Sequence, residues 1–273
     1  MELEKLSVMQ YLDKSWQEWL INNYNAGIHP RRLAQSMLEK GLVDAMYAML
    51  SDFDLTLDMP MIDLSSNQIE LSDKTVSLTF VCQKPYVVVI DDFLSAEECQ
   101  QMLQVSNDKF NPARVVDKDT GEFVEHYART SMNTGFVRGE FEIIKVIESR
   151  ISSLLHWPVE NGEGIQVLRY QDGGEYKAHF DFFNKNEKGS AKQMEHGGQR
   201  VGTFLMYLSD VERGGATRFP TMNFEVRPKA GMALYFANTL LTGQTDDLTF
   251  HASVPVVQGT KYIATKWLRQ SAY

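Results

Sequence analysis

The chain has 273 residues, enough for one good-sized core or for a catalytic domain with a small companion, and its composition is that of a folded protein rather than a disordered, collagen-like or coiled-coil chain. A formal charge of -9 argues against a broad nucleic-acid or acidic-membrane surface, which clustered Lys and Arg would have to supply. Cys82 and Cys99 lack CxxC spacing, the opening residues lack the apolar run of a secretory signal, and no stretch approaches the ~20 apolar residues that span a bilayer, so the expectation is a cytoplasmic protein that binds neither nucleic acid nor membrane.

Residues 1–60 read as a helical segment. Trp16, Trp19, Leu20 and Tyr24 recur at helical spacing, and Asn25-Ala26-Gly27 ends the run. Pro30 opens a second helix carrying Leu33, Met37 and Leu38, which stops near Gly41 and is followed by an apolar run from Leu42 to Leu50. Acids and bases nearly balance here, which predicts a packing or homodimerising element rather than a DNA-binding helix-turn-helix. From Asp52 to Lys84 the chain is polar and punctuated, with a strand-like stretch at 76–81, and offers the best domain boundary. A strand at 86–90 then leads to Ser95, which with Glu98 forms a capping box for a helix over 96–105. Short strands separated by Gly, Asn and Asp follow at 113–116, 125–130, 165–170, 176–180, 203–208, 233–236, 248–254 and 262–268, with one helix over 140–155 between them. This order predicts a closed or double-sheet β architecture after a helical segment, of which a jelly roll is one solution.

The chemistry-bearing residues sit in this β region. In Tyr176-Lys177-Ala178-His179-Phe180-Asp181, strand alternation aims His179 and Asp181 at one face. A further histidine would complete a 2-His-1-carboxylate facial triad, the arrangement that leaves positions open on a non-haem Fe(II). His251 is the candidate, because it lies in a strand-like run, Leu248 to Pro255, and shares a face with Thr249 and Ser253. His126 and His196 read as surface residues. Lys261 follows a turn at Gly259, and a lysine buried there would require an anion such as the distal carboxylate of 2-oxoglutarate. A surface lysine in a hairpin is the plain alternative.

These residues resemble the prolyl 4-hydroxylase family of Fe(II)/2-oxoglutarate-dependent dioxygenases over roughly 85–270. The resemblance rests on the segment from Tyr170 to Asp181, on Arg200-Val201 leading to Leu205-Met206-Tyr207-Leu208, on Gly214-Gly215-Ala216-Thr217-Arg218-Phe219-Pro220, and on His251 to Trp267. Ala128-Arg129-Thr130-Ser131 is similar to the family's strand beside the substrate groove. The resemblance implies an α+β fold whose double-stranded β-helix (jelly-roll) core spans 85–273, with supporting helices. It implies iron ligation by His179, Asp181 and His251, with 2-oxoglutarate held by Lys261, Tyr170 and Thr217. Tyr176 and Arg200 are implied for catalysis, and Tyr176, Arg200 and Trp267 for substrate contact. Strict alternation turns Tyr176 away from the His179 face, so that role needs a bend or bulge. Arg269 stands where some relatives carry a histidine, which leaves peptide contacts there open.

The expected reaction is procollagen-proline 4-dioxygenase-like: oxidative decarboxylation of 2-oxoglutarate to succinate, with ascorbate as an auxiliary cofactor, coupled to hydroxylation of a proline in a peptide or protein. Asp181 favours hydroxylation over halogenation, because halogenating relatives carry a small residue in place of the carboxylate. Two other readings stand beside it. The first is a hydroxylase of a free amino acid or small molecule, since the loops 115–125 and 184–197 carry no readable code. The second is a non-catalytic metal-binding jelly roll, against which Lys261, Tyr170 and Thr217 argue, since a metal binder has no need of an oxoacid pocket.

Overall fold

The computed structural model describes residues 3–107, 109–116, 119–125 and 128–273. Three helices lead the chain: α1 (Lys14–Asn25), α2 (Pro30–Glu39) and α3 (Val43–Asp52). Asp13 caps α1 by accepting from the Trp16 amide, His29 caps α2 by accepting from the Arg31 amide, and Pro30 at the first turn supplies a helical φ where no donor is needed. Strands β1 (Gln68–Glu70), β2 (Thr75–Gln83) and β3 (Tyr86–Asp91) precede α4 (Ala96–Ser106), which begins with the expected Ser95/Glu98 capping box. Then come β4 (Asn111–Pro112), β5 (Arg114–Val116), β6 (Phe123–Glu125), β7 (Met132–Phe136), α5 (Glu142–Leu155), β8 (Ile165–Tyr170), β9 (Tyr176–His179) and α6 (Lys188–Met194). The chain ends with β10 (Arg200–Tyr207), β11 (Arg213–Gly214), β12 (Thr217–Phe219), β13 (Phe224–Val226), β14 (Ala233–Ala237), β15 (His251–Ser253), β16 (Val256–Gln258) and β17 (Lys261–Arg269).

The strands build an α+β jelly roll. A nine-stranded sheet runs β1-β2-β3-β14-β10-β17-β8-β7-β4, and a four-stranded sheet runs β13-β12-β15-β9. Period-two alternation along the central strands divides their side chains between two layers. Val88, Ile90, Phe204, Met206, Tyr235, Ala264 and Leu268 face outward and share one core with Leu33, Met37 and Met46 of the leading helices and with Ile144, Ile147 and Ile151 of α5. Val87, Leu168, Tyr170, Leu205, Tyr207, Phe236 and Ile263 face inward, toward Phe219 and Val226 of the smaller sheet. Both layers are apolar, and the space between the two sheets also holds buried polar groups, Asp181, Thr203, Thr217, His251, Ser253 and Lys261.

Several boundaries differ from those the sequence predicts. Within 52–84, expected as a domain boundary with a strand-like run at 76–81, the strand is longer and has a partner: β1 and β2 extend the large sheet by pairing with each other and then with β3. The strand expected over 248–254 is only His251–Ser253, because the Asp246 carboxylate accepts from the Leu248 amide and turns 247–249 into a 3-10 turn. The loop 184–197 contains α6. Of the strand expected over 125–130, residues 126 and 127 lie outside the described residues, while Arg129 makes an isolated bridge to Tyr176. Among the described residues, no helix is long and apolar enough to cross a membrane.

Buried ion pairs tie the helical layer to the sheet. Lys266 of β17 and Glu148 of α5, 2% and 3% exposed, meet at 2.5 Å, and Glu148 also accepts from the Gly139 amide. Arg150 joins Asp73 and Glu98 and donates to the Phe93 carbonyl. Removing one member of such a pair strands the other charge. Lys266→Met is therefore expected to lower stability by about 3–5 kcal/mol in urea unfolding, and the double variant Lys266→Met/Glu148→Leu to recover most of that loss. A Lys266→Met protein within about 1 kcal/mol of wild type would show the pair to be dispensable.

Candidate active site

β9 and β15 lie side by side in the smaller sheet, and their pairing carries an irregularity that decides the site. His251 pairs with His179 and Ser253 with Tyr176, so three steps along β9 span two along β15. The extra residue is a β-bulge, the device by which a strand re-aims a side chain. It supplies the bend that Tyr176 needs: the Tyr176 and His179 rings stack at 3.6 Å with planes 22° apart.

His179, Asp181 and His251 offer one ligand atom each, all within 4.8 Å of one another, and are the group among the described residues that could hold a metal ion. His179 Nε2 lies 3.5 Å from Asp181 Oδ1, and His251 Nε2 lies 3.7 Å from Asp181 Oδ2. The other imidazole nitrogens are committed. His179 Nδ1 is 2.8 Å from the Lys177 carbonyl and His251 Nδ1 is 2.9 Å from the Thr249 carbonyl. A carbonyl can only accept, so each Nδ1 must be the donor, and in the neutral ring each Nε2 keeps its lone pair for a cation. Thr203 Oγ1 donates to Asp181 Oδ2 at 2.8 Å, and Asn238 Nδ2 donates to Thr203 Oγ1 at 3.0 Å, which holds the carboxylate from behind. Burial disfavours ionised Asp181, but the neighbouring His251 and His179 and the Arg200 charge outweigh it and hold the carboxyl far below the usual range. Burial, followed by the adjacent His179, pushes His251 down to about 4.

Lys261 opens β17 after Gly259, whose φ of +101° is one that L side chains rarely adopt and suits the turn from β16. The lysine is fully buried and directly opposite Tyr170 in the β17–β8 ladder. Its Nζ donates to Ser253 Oγ at 2.8 Å and lies 5.3 Å from the Tyr170 ring centre and 5.9 Å from that of Tyr207. No carboxylate pairs with it among the described residues, and burial pushes its pKa down to about 7. Thr217, paired with Ser253 across the β12–β15 ladder, accepts from the Tyr207 hydroxyl at 2.8 Å. The buried Lys261 amine, Ser253 and Thr217 thus form a polar part of the cavity that the triad also lines.

Of the residues singled out from sequence, His179, Asp181, His251, Lys261, Tyr170, Thr217, Tyr176 and Trp267 line a single cavity. Arg200 does not line it. Its guanidinium makes a two-point pair with Glu163, at 2.6 and 2.8 Å, packs 3.9 Å over Trp267, and donates to the Asp181 carbonyl at 3.4 Å, so it stands behind the ligand strand. Arg269 is also withdrawn: it reaches Glu163 at 2.8 Å and the carbonyls of Gln193 and His196. His196 is exposed, and His126 lies outside the described residues. Sequence reasoning did not assign Ser253, Thr203 or Glu163. Ser253 could have been found from its shared face with His251 and Thr203 from its shared face with Leu205, whereas nothing local marks Glu163.

Comparison with known proteins shows the family. The model of the 2OG-Fe(II) oxygenase superfamily matches residues 165–269, which include every residue of the triad and Lys261. Prolyl 4-hydroxylase 1 of Arabidopsis thaliana is 38% identical over 207 residues, covering 70% of this chain and 71% of the relative, and Prolyl 4-hydroxylase 5 of the same plant is 38% identical over 203 residues, covering 67% and 68%. The solved structure of a viral collagen prolyl hydroxylase from Paramecium Bursaria Chlorella virus-1, a complex with 2OG, is 30% identical, with a TM-score of 0.53, and covers 70% of this chain and 99% of that one. The chain belongs to the prolyl 4-hydroxylase family of 2OG-Fe(II) oxygenases. It is a 2-oxoglutarate-dependent dioxygenase, with Fe(II) as its metal and 2-oxoglutarate as its cosubstrate.

The unpaired lysine makes a prediction of its own. Between about 7 and the ordinary 10.5 the unfolded chain holds a proton on Lys261 that the folded protein lacks, so stability gains a contribution that rises with pH across that window. Urea midpoints of the ligand-free wild type are expected to climb relative to those of Lys261→Met between pH 7 and about pH 9.5. A difference that stays constant with pH would mean the amine is solvated or paired.

Proposed function

We propose that the protein hydroxylates carbon 4 of a prolyl residue within a peptide or protein, with Fe(II) held by His179 Nε2, Asp181 and His251 Nε2, and with the distal carboxylate of 2-oxoglutarate on Lys261. The observation that carries the reading is a buried ammonium with no protein carboxylate, on the same cavity as the triad. An isolated buried charge is costly, and a dicarboxylate that brings its own counter-charge removes the cost. The donor set fits the metal, since two imidazoles and one carboxylate are a facial set for non-haem Fe(II). When bound, Fe(II) and 2-oxoglutarate supply dioxygen activation, with decarboxylation to succinate and carbon dioxide.

The residues of this chain bind, orient and exclude water. Ser253 and Thr217 give hydroxyls to the oxoacid pocket, and Tyr170 walls it beside Lys261. Tyr176, held between His179 and the Arg129 guanidinium 4.8 Å from its ring centre, forms with Trp267, Leu205 and Ile263 an aromatic and apolar surround suited to a pyrrolidine ring. Burial pushes the Tyr176 phenol up to about 12, so it stays a neutral donor at the cavity. Arg200 acts as a support, fixing Trp267 and the Asp181 backbone rather than meeting substrate. Proline-containing relatives' substrates support the choice: the similar proteins are named as prolyl hydroxylases, one of them for collagen.

The test is incubation with Fe(II), 2-oxoglutarate and ascorbate against a library of proline-containing peptides and against free amino acids, with succinate and product mass followed together. The expected result is one succinate for each oxygen atom gained by a peptide proline, lost in Asp181→Ala. In Lys261→Met, KM for 2-oxoglutarate is expected to rise about 100-fold, equivalent to about 2.8 kcal/mol. Oxygen gain confined to free amino acids would overturn the substrate, and iron-loaded protein that never releases succinate would overturn the catalytic reading.

A further inference from the structure

The leading helices lie outside the matched superfamily region of 165–269, and they touch the loop that carries a metal ligand. Between β14 and β15 the chain forms a closed loop. Its base is held by the Asp246 amide donating to the Asn238 carbonyl at 3.0 Å and by a bridge between Thr239 and Thr245. Its tip is turned by the Gly243 amide donating to the Leu240 carbonyl and the Leu240 amide donating to the Gln244 carbonyl, both at 2.8 Å. Leu241, fully buried at this tip, packs into the outer core that Leu33, Ala34 and Met37 of α2 help to form.

The contact is polar as well as apolar. The Leu241 amide donates to Gln35 Oε1 at 2.8 Å in a buried bond, and Arg31 Nη1 reaches the Leu241 carbonyl at 3.4 Å. Gln35 is only 8% exposed and is itself oriented by donating to Glu39 at 3.2 Å, while Arg31 is anchored on Asp58 and the Thr56 carbonyl. Both ends of the loop reach the metal ligands. Asn238 donates to Thr203, which donates to Asp181. At the other end the Thr249 amide and hydroxyl both donate to the Asp246 carbonyl, and the Thr249 carbonyl accepts from His251 Nδ1. One short loop therefore sets the Asp181 carboxylate through one end and the His251 ring through the other, and α2 grips it in the middle.

We propose that the N-terminal helices brace the metal centre, with Gln35 as a positioning residue that holds the 238–251 loop in the arrangement in which Asp181 and His251 share one ion. This rests on the reading that His179, Asp181 and His251 bind the metal. Support behind metal ligands is ordinarily worth 10- to 100-fold in affinity. Gln35 acts one step further back, so the lower end of that range is expected.

The experiment uses the full chain and Co(II) as the probe, with affinity measured by calorimetry and ligand-field geometry by visible absorption. Gln35→Met keeps the length of the side chain and removes the acceptor. The expected result is about tenfold weaker Co(II) binding and an altered spectrum in Gln35→Met. A folded Gln35→Met protein with wild-type Co(II) affinity and spectrum, whatever its melting temperature, would overturn the brace. If wild type itself bound no Co(II), the metal assignment would fail rather than this inference alone. Where Gln35→Met does not fold, wild type decides by hydrogen exchange. Co(II) is expected to slow exchange of the Leu241 amide together with residues 246–251, since coupling is reciprocal. Protection that stops short of Leu241 would refute the coupling.

Discussion

Two backbone carbonyls govern what this site can do. The Lys177 and Thr249 carbonyls each take the Nδ1 proton of a histidine, and so turn both Nε2 lone pairs toward the Asp181 carboxylate. Neither would be in place without the local backbone around it, the bulge in β9 and the turn that delays β15 until His251. The triad is therefore a property of strand irregularities as much as of residue types, and a regular ladder with the same residues would aim them differently.

The rest of the molecule makes that geometry affordable. A full layer of helices covers the outer face of the large sheet, and its shared core supplies the burial that lets the inner face carry an unpaired lysine, an ionised aspartate and two imidazoles. Lys261 illustrates the exchange. Its burial without a protein anion weakens the free protein, and the cosubstrate carboxylate proposed for it would bring the missing counter-charge. Glu163 shows the opposite solution. Burial would raise its carboxyl, but Arg200 and Arg269 prevail and keep it ionised, which locks both guanidinium groups behind the ligand strand.

Much of this was legible in sequence where the signal was local. Short apolar runs set off by Gly, Asn and Asp were enough to predict the strands that became β10, β14 and β17, though not which of their side chains face inward, and the capping box at Ser95 marked the start of α4. The HxD spacing put His179 and Asp181 on one face and a strand-like run singled out His251, whereas the place of Lys261 in the pocket came with the family resemblance, since its spacing alone also suited a surface hairpin. What stayed hidden was non-local. Whether Tyr176 could face His179 depended on a bulge that needs the pairing partner to define it. Arg200 was expected at the substrate because its motif resembles the family's, but its side chain is claimed by Glu163, a residue 37 positions away with no motif of its own. The link from Gln35 to Leu241 spans 206 positions, a separation at which no spacing rule operates.

The central claim is that three side chains from two neighbouring strands converge on one ferrous ion. Anomalous diffraction from crystals grown anaerobically with Fe(II) tests it without any assumption about substrate. A single strong iron peak is predicted within about 2.0–2.2 Å of His179 Nε2, His251 Nε2 and an Asp181 oxygen, using ordinary metal–ligand distances for these donor types. A peak elsewhere, or one that engages only one of the two histidines, would contradict it.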